Sequence, residues 1–152
     1  MGTKYADDPS IPHDERLFRR INITHVVERD ADKTEVSSAA FRDDELSVNL
    51  ESVMKSACRP PEDALRNSPN DLLMSVTAGV CRDHEQKVGP DPTPEEPAHG
   101  YVFGKKSKAI RRALRDAAKW VVPQEPPRYS QIREMKKQPG IGGRDAGTLG
   151  LD

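Results

Sequence analysis

The stretch AHGYVFGKKSKAIRRA, residues 98–113, contains a strand pattern, a glycine and a helix pattern in succession. The apolar run HGYVFG predicts a strand, and the periodicity after Gly104 predicts a helix over residues 105–122. Lys105, Lys106 and Ser107 lie where that helix begins, at an end that already carries partial positive charge. Lysines are poorly placed there unless an anion approaches, so the junction raises the question of what it binds.

The predicted helix 105–122 is amphipathic. Its apolar stripe, widened by Ala113 and Trp120, consists of Ile110, Leu114, Ala117 and Val121. The opposite face carries a basic stripe of Lys105, Lys108, Arg112, Arg115 and Lys119. Both stripes follow the spacing of an α-helix, and Pro123 is expected to end it. We therefore expect the apolar stripe to pack on a core and the basic face to remain available to solvent or to a partner.

The segments before this helix predict short strands and short helices without strict alternation. LSVNL (46–50) alternates apolar and polar residues, and DLLMSV (71–76) also fits a strand. ESVMKSA (51–57) fits a short helix, and Thr77 can cap another. This mixture predicts an α+β fold, with one small sheet and a few helices.

Composition divides the chain into three parts. Residues 1–15 are polar and interrupted by proline, which predicts a flexible arm, and residues 16–122 hold the segments of a single domain. Residues 123–152 are rich in proline and glycine and poor in large apolar residues, which predicts a disordered tail. The Gly142–Gly143 pair resembles the diglycine terminus of ubiquitin-like modifiers, and whether the tail is processed stays open.

The net charge of −1 conceals an asymmetry along the chain. Residues 1–104 carry a formal charge of −8, whereas residues 105–122 carry +6 because seven Lys and Arg face Asp116 alone. Such separation is typical of a basic binding face or of a basic helix packed beside its own acidic domain. The sequence contains no signal-peptide pattern, no membrane-length apolar run and only two cysteines, so we expect a cytoplasmic protein without a cofactor.

The GKKS junction is the first candidate site. Free N–H groups at a helix start, two lysines and a serine hydroxyl are the parts of a phosphate cradle, although the glycine that a P-loop places five residues earlier is absent. The alternative is that Ser107 only caps the helix. The predicted contact set for an anion or an acidic partner comprises Gly104, Lys105, Lys106, Ser107, Lys108, Arg112 and Arg115.

His99 is the second candidate, as the acid/base of an enzyme. It follows a connection with four prolines in residues 90–97 and lies near Glu95 and Glu96. In this alternative the Gly104–Ser107 turn holds the phosphate of a phosphate-bearing or nucleotide substrate. A concave pocket shared by His99, Ser107 and either Arg19 or Glu51 would favour it. A zinc site, which would need Cys58, Cys81, His84 and His99, lacks the usual second close pair of ligands, so no metal is expected.

The segments LFRRI (17–21), SSAAF (37–41), ELSV (45–48), DPTPEEPAH (91–99) and GKKS (104–107) together resemble an uncharacterised family of small bacterial proteins. The resemblance covers residues 16–122 and implies that they form one domain to which the tail is added. It implies no activity. From the residues themselves we expect a small binding or accessory protein that uses its basic helix to contact an acidic protein or a nucleic acid.

Overall fold

The computed structural model describes residues 5–137. Its strands are β1 (Arg16–Ile21), β2 (Val26–Arg29), β3 (Lys33–Val36), β4 (Glu45–Leu50), β5 (Leu72–Thr77), β6 (Lys87–Pro90), β7 (His99–Phe103) and β8 (Lys119–Val122). Its α-helices are α1 (Glu51–Ser56), α2 (Ala78–Asp83), α3 (Lys108–Ala117) and α4 (Tyr129–Lys137). Short 3-10 helices cover Ile23–His25, Ser38–Phe41 and Pro61–Leu65.

Six strands form one antiparallel sheet in the order β6-β7-β4-β1-β5-β8, and β2 and β3 form a separate hairpin. The alternation seen in the sequence of β4 holds in the structure: Leu46, Val48 and Leu50 are buried, whereas Glu45 and Ser47 are exposed. Strands and helices are mixed and the main sheet is antiparallel, so the predicted α+β class is confirmed.

Each face of the sheet carries its own apolar core. On one face, Leu17 and Ile21 of β1 pack in the same cluster as Leu114 of α3. On the other face, Phe18 and Leu73 pack with side chains that α1 and the Pro61–Leu65 helix contribute. The second cluster is smaller, and this difference leaves room for a cleft on its face.

The C-terminal helix is shorter than the sequence predicts. α3 begins only at Lys108 and ends at Ala117, Ala118 is extended (φ −72°, ψ 146°), and Lys119–Val122 form strand β8 against β5. Trp120 and Val121 favour a strand, and the residue before Pro123 is disfavoured in helical conformation. The helical periodicity up to Val121 was therefore misleading, because pairing with a distant strand decides the conformation of this segment.

The predicted disorder of the tail is wrong for residues 123–137. α4 packs on β2 and on the Ile23–His25 helix, with Ile132 fully buried. Asp32 binds the start of α4, accepting from the backbone N–H of Tyr129 (2.8 Å, to its carbonyl) and of Ser130 (2.6 Å, to its carboxylate). Residues 138–152, which include Gly142 and Gly143, lie outside the described residues.

The predicted flexible arm is also ordered from residue 5 onward. Tyr5 stacks on Phe103 with ring centroids 4.5 Å apart, and Asp8 pairs with edge strand β6 through its N–H to the Val88 carbonyl (2.8 Å). Arg82 of α2 holds the N-terminal arm in place by donating hydrogen bonds to the Asp7 carboxylate and to the Asp8 and Ile11 carbonyls. The arm thus covers the polar edge of β6, which would otherwise present unpaired backbone groups.

Between residues 5 and 137, no helix has the length and apolar character needed to cross a membrane.

Candidate functional site

The strand–glycine–helix junction exists, and the backbone conformation at Gly104 favours glycine. Gly104 has φ +155°, and a Cβ there would come within 2.9 Å of the Gln86 side chain. Ser107 is the N-cap of α3, because its side chain accepts from the N–H of Ile110 at 3.2 Å. The Ser107 oxygen therefore accepts from one of the helix N–H groups that could otherwise bind an anion. This is the alternative that the sequence analysis gave for Ser107, in which it only caps the helix.

Lys106 does not point toward an incoming anion. It is 8% exposed, and its ammonium donates to the carbonyls of Asp44 (3.0 Å), Val102 (3.0 Å) and Gly104 (3.2 Å). Burial lowers the pKa of Lys106 to about 8. The lysine ties the end of β7 to the loop before β4, so it is a structural residue rather than a member of a binding surface.

Arg115 is likewise engaged within the molecule. Its guanidinium donates to the carboxylates of Glu35 (3.2 Å) and Asp116 (3.0 Å), so it fixes α3 to strand β3 of the hairpin. Within the predicted basic stripe, the charge of Arg115 is therefore explained by acidic partners inside the molecule.

The remaining cations of the predicted set behave differently. Lys105, Lys108 and Arg112 are exposed, and within residues 5–137 none of them lies within 4 Å of a carboxylate. Lys108 and Arg112 stand four residues apart on one face of α3, where like charges repel by roughly 0.2–0.5 kcal/mol. Lys108 also opens the first turn of the helix, where the dipole disfavours a cation. We call these three residues the α3 basic surface, although Lys105 lies three residues before the helix begins.

His99 lies at the other end of β7, beside a cleft. Its Nδ1 is 2.8 Å from the Asp91 carbonyl, which can only accept, so Nδ1 carries the proton and Nε2 is left free of it in the neutral ring. The Asp91 carboxylate is 3.5 Å from the same nitrogen and would pair with a protonated imidazole. The ring is therefore held in one orientation, as an acid/base or a ligand-binding histidine requires.

The carboxylate nearest to His99 in sequence is not available as a base. Both oxygens of Glu96 bind the guanidinium of Arg59, and they also accept from the Ala98 N–H (3.1 Å) and the Asn49 amide (3.2 Å). Hydrogen bonding from Arg59, opposed in part by burial, lowers the pKa of Glu96 to about 2. Glu96 therefore remains ionised and anchors the proline-rich loop to β4.

The cleft opens because two central strands part. β1 pairs with β5 along all six residues, but its pairing with β4 covers Leu17↔Leu50 and Phe18↔Asn49. Beyond that point the Arg19 guanidinium bridges the two strands, donating to the Ser47 carbonyl (3.2 Å) and to the Ala40 carbonyl (3.0 Å). Burial lowers the pKa of Arg19 to about 10.

This cleft, which we call the His99 cleft, has a volume of about 310 Å³. The residues that matter for its chemistry are Phe18, Arg20, Ser47, Arg66, Leu73 and His99. Sequence reasoning named His99 and Arg19 as possible members of one pocket but missed Arg20 and Arg66. The alternation of Leu17, Arg19 and Ile21 places Arg19 at an inward-facing position of the strand.

The structure separates the two halves of the predicted enzyme site. His99 begins β7 and Gly104 follows its end, so about 16 Å of strand lies between them. Arg19 lines the cleft with His99, whereas Ser107 caps α3 and Glu51 pairs with Arg16 at 2.7 Å. The pocket that would favour an enzyme is therefore formed in part only.

The four residues considered for zinc are not assembled. Cys58 is exposed in the loop after α1, Cys81 is buried in α2, and burial raises the pKa of its thiol to about 12. In the part of the chain from residue 5 to residue 137, no three His, Cys, Asp or Glu side chains are arranged to hold a metal ion.

Comparison of the chain with protein-family models, with curated proteins and with solved structures found no match.

Proposed function

We propose that this protein is a binding or accessory protein that contacts an acidic protein or a nucleic acid through the α3 basic surface. The observation that carries the proposal is that Lys105, Lys108 and Arg112 are exposed and have no carboxylate partner among residues 5–137. No carboxylate among residues 5–137 lies within 4 Å of these cations to offset the repulsion between Lys108 and Arg112 or the unfavourable place of Lys108 at a helix start. An acidic partner would relieve both.

Compared with the sequence-based prediction, the contact set is smaller. Lys106 and Arg115 are engaged inside the molecule, and the Ser107 oxygen binds the Ile110 N–H. The proposed interaction is therefore a charged surface rather than a phosphate cradle in a helix start. Affinity from such a surface depends on the ionic strength, because exposed charges are screened by salt.

The experiment that tests the proposal is a binding titration by fluorescence anisotropy with three probes: a short DNA, a short RNA and a glutamate-rich peptide. The test variant combines Lys105→Gln, Lys108→Gln and Arg112→Gln. The control variant combines Lys33→Gln, Lys55→Gln and Arg128→Gln, which removes the same number of exposed charges away from α3. Both variants change the net charge equally, so a difference between them reports on location.

We expect at least one probe to bind the parent, the test variant to bind it about tenfold more weakly at low salt, and the control to bind nearly as the parent does. The probe that binds more tightly identifies the class of partner. Absence of saturable binding to all three probes, or equal weakening in the two variants, would exclude the proposal.

The second candidate, an enzyme that acts on a phosphate-bearing or nucleotide substrate with His99 as acid/base, is supported by the fixed orientation of His99 in a cleft with Arg19. It is weakened by the distance between His99 and the Gly104–Ser107 turn, since a substrate would have to span the length of β7. A phosphate-release assay with the parent and His99→Gln tests it.

A further inference from the structure

The His99 cleft is a second feature that could take a ligand, at the opposite end of β7 from the α3 basic surface. It lies on the sheet face that has the smaller apolar core, at the point where β1 and β4 part. We propose that it binds a small anionic ligand, a carboxylate or a phosphate monoester on a compact, partly apolar body.

The two inner carboxylates of the cleft, those of Glu96 and Asp63, are already engaged. Glu96 accepts from Arg59, from the Ala98 N–H and from Asn49, and Asp63 accepts from Arg59 (2.6 Å) and Arg66 (3.2 Å). Each inner carboxylate is therefore neutralised by a guanidinium before any ligand arrives. The third carboxylate, that of Glu95, is exposed on the rim, where water screens it.

The donors of the cleft, by contrast, retain free N–H groups. Arg20 donates to the Ser68 hydroxyl at 3.3 Å, its Nε is 3.5 Å from the Asp71 carboxylate, and its side chain is 55% exposed. Arg66 uses two nitrogens, one for Asp63 and one for the Glu95 carbonyl (2.6 Å), and is 41% exposed. Because a guanidinium has five N–H donors, both arginines can still bind an acceptor-rich ligand.

His99 adds a group that suits an anion. With Nδ1 bound to the Asp91 carbonyl, the free nitrogen Nε2 is the one that can meet a ligand. In the imidazolium form both ring nitrogens are donors, so Nε2 can donate to an anion while the Asp91 carboxylate lies 3.5 Å from Nδ1.

The size and the floor of the cleft restrict the ligand. A volume of about 310 Å³ is at the lower end of the range for small-molecule sites, so a macromolecule would not enter. Phe18 and Leu73 supply an apolar floor, against which a ring or a short hydrocarbon body can pack. The shared recognition chemistry is one anionic group near the two arginines and His99.

The test is an NMR titration of the histidine side chains of the full chain with phenyl phosphate, with benzoate and with benzamide as the uncharged control. His99 has three internal references in His13, His25 and His84. We expect one or both anions to perturb His99 saturably, with little effect on the other histidines, and we expect benzamide to have no effect. The anion that binds more tightly distinguishes a phosphate ligand from a carboxylate ligand.

Variants separate this site from the α3 basic surface. Arg20→Gln and Arg66→Gln should each weaken binding about tenfold, and Arg112→Gln should leave it unchanged. Using both arginine variants keeps the test decisive if one of them folds poorly. No saturable change at His99 with either anion, equal binding of benzamide, or equal weakening by Arg112→Gln would overturn the proposal, whatever the outcome for the α3 basic surface.

Discussion

At the scale of single residues, the lysines of the GKKS junction show how neighbours in sequence acquire different roles. Lys105 is exposed, whereas Lys106 is buried against three backbone carbonyls. The sequence predicted both as anion ligands, because nothing local distinguishes them. The Asp44 carbonyl comes from the loop before β4, 62 residues earlier in the chain, and only the folded sheet brings it to Lys106.

We predict that Lys106→Met lowers the free energy of unfolding by about 1–3 kcal/mol, because three carbonyls lose a charged donor at a site that excludes water. Lys105→Met, one residue away and exposed, should change it by less than about 0.5 kcal/mol. Urea unfolding of the two variants measures the difference. Equal effects would show that the Lys106 ammonium is not held as described.

The Glu96 carboxylate leads to a prediction about acid. Its pKa is about 2 in the folded protein, below the ordinary 4.5, so the unfolded chain binds a proton more readily. The stabilisation from Glu96 is therefore complete above pH 4.5 and is lost as the pH falls toward 2. Glu96→Gln should be less stable than the parent at pH 7, and the two should converge in acid.

Urea unfolding at a series of pH values checks this prediction, with Glu95→Gln, an exposed neighbour, as the control. A gap between parent and Glu96→Gln that stays constant down to pH 2 would contradict the role given to Arg59.

At the scale of secondary-structure elements, prediction succeeded where the signal was local. The alternation in β4, the strand at β5 and the Thr77 cap of α2 all appear as expected. It failed at β8, since Val121 fits both the apolar stripe of a helix and a strand. It also failed at α4, whose burial depends on Asp32 and on the hairpin, about 100 residues earlier in the chain.

We predict that Leu114→Ala lowers the free energy of unfolding by about 2–5 kcal/mol, because Leu114 is fully buried on the inner face of α3. Arg112→Ala, on the exposed face of the same helix, should change it by less than about 0.5 kcal/mol. Denaturant unfolding of both variants measures this, and similar losses would mean that the orientation of α3 is wrong.

A parallel prediction concerns α4. Ile132→Ala should also cost about 2–5 kcal/mol, whereas Gln131→Ala, at an exposed position beside it, should cost little. Differential scanning calorimetry of the two variants tests whether α4 unfolds with the rest of the domain. An unchanged melting temperature for Ile132→Ala would restore the prediction of a disordered tail from residue 123.

At the scale of the whole molecule, the two candidate sites lie at the two ends of β7. The charge asymmetry of the sequence predicted a basic face on this helix. Lys106 and Arg115 were part of that prediction, but both are engaged inside the folded molecule. The sequence could not predict the His99 cleft as a site, because it depends on where β1 and β4 stop pairing. Which strands part is a property of the sheet and not of either segment alone.

The most direct test of the central claim, that the α3 basic surface contacts an acidic partner, is the salt dependence of binding. For the probe that binds best, the logarithm of the association constant is measured against the logarithm of the salt concentration, for the parent and for the variant that lacks Lys105, Lys108 and Arg112. If that probe is a nucleic acid, we predict a negative slope that becomes shallower by about 2–3 in the variant, since each lost phosphate contact removes about 0.7–0.9. An acidic peptide should show the same direction of change. A slope that is the same in both proteins would contradict the account.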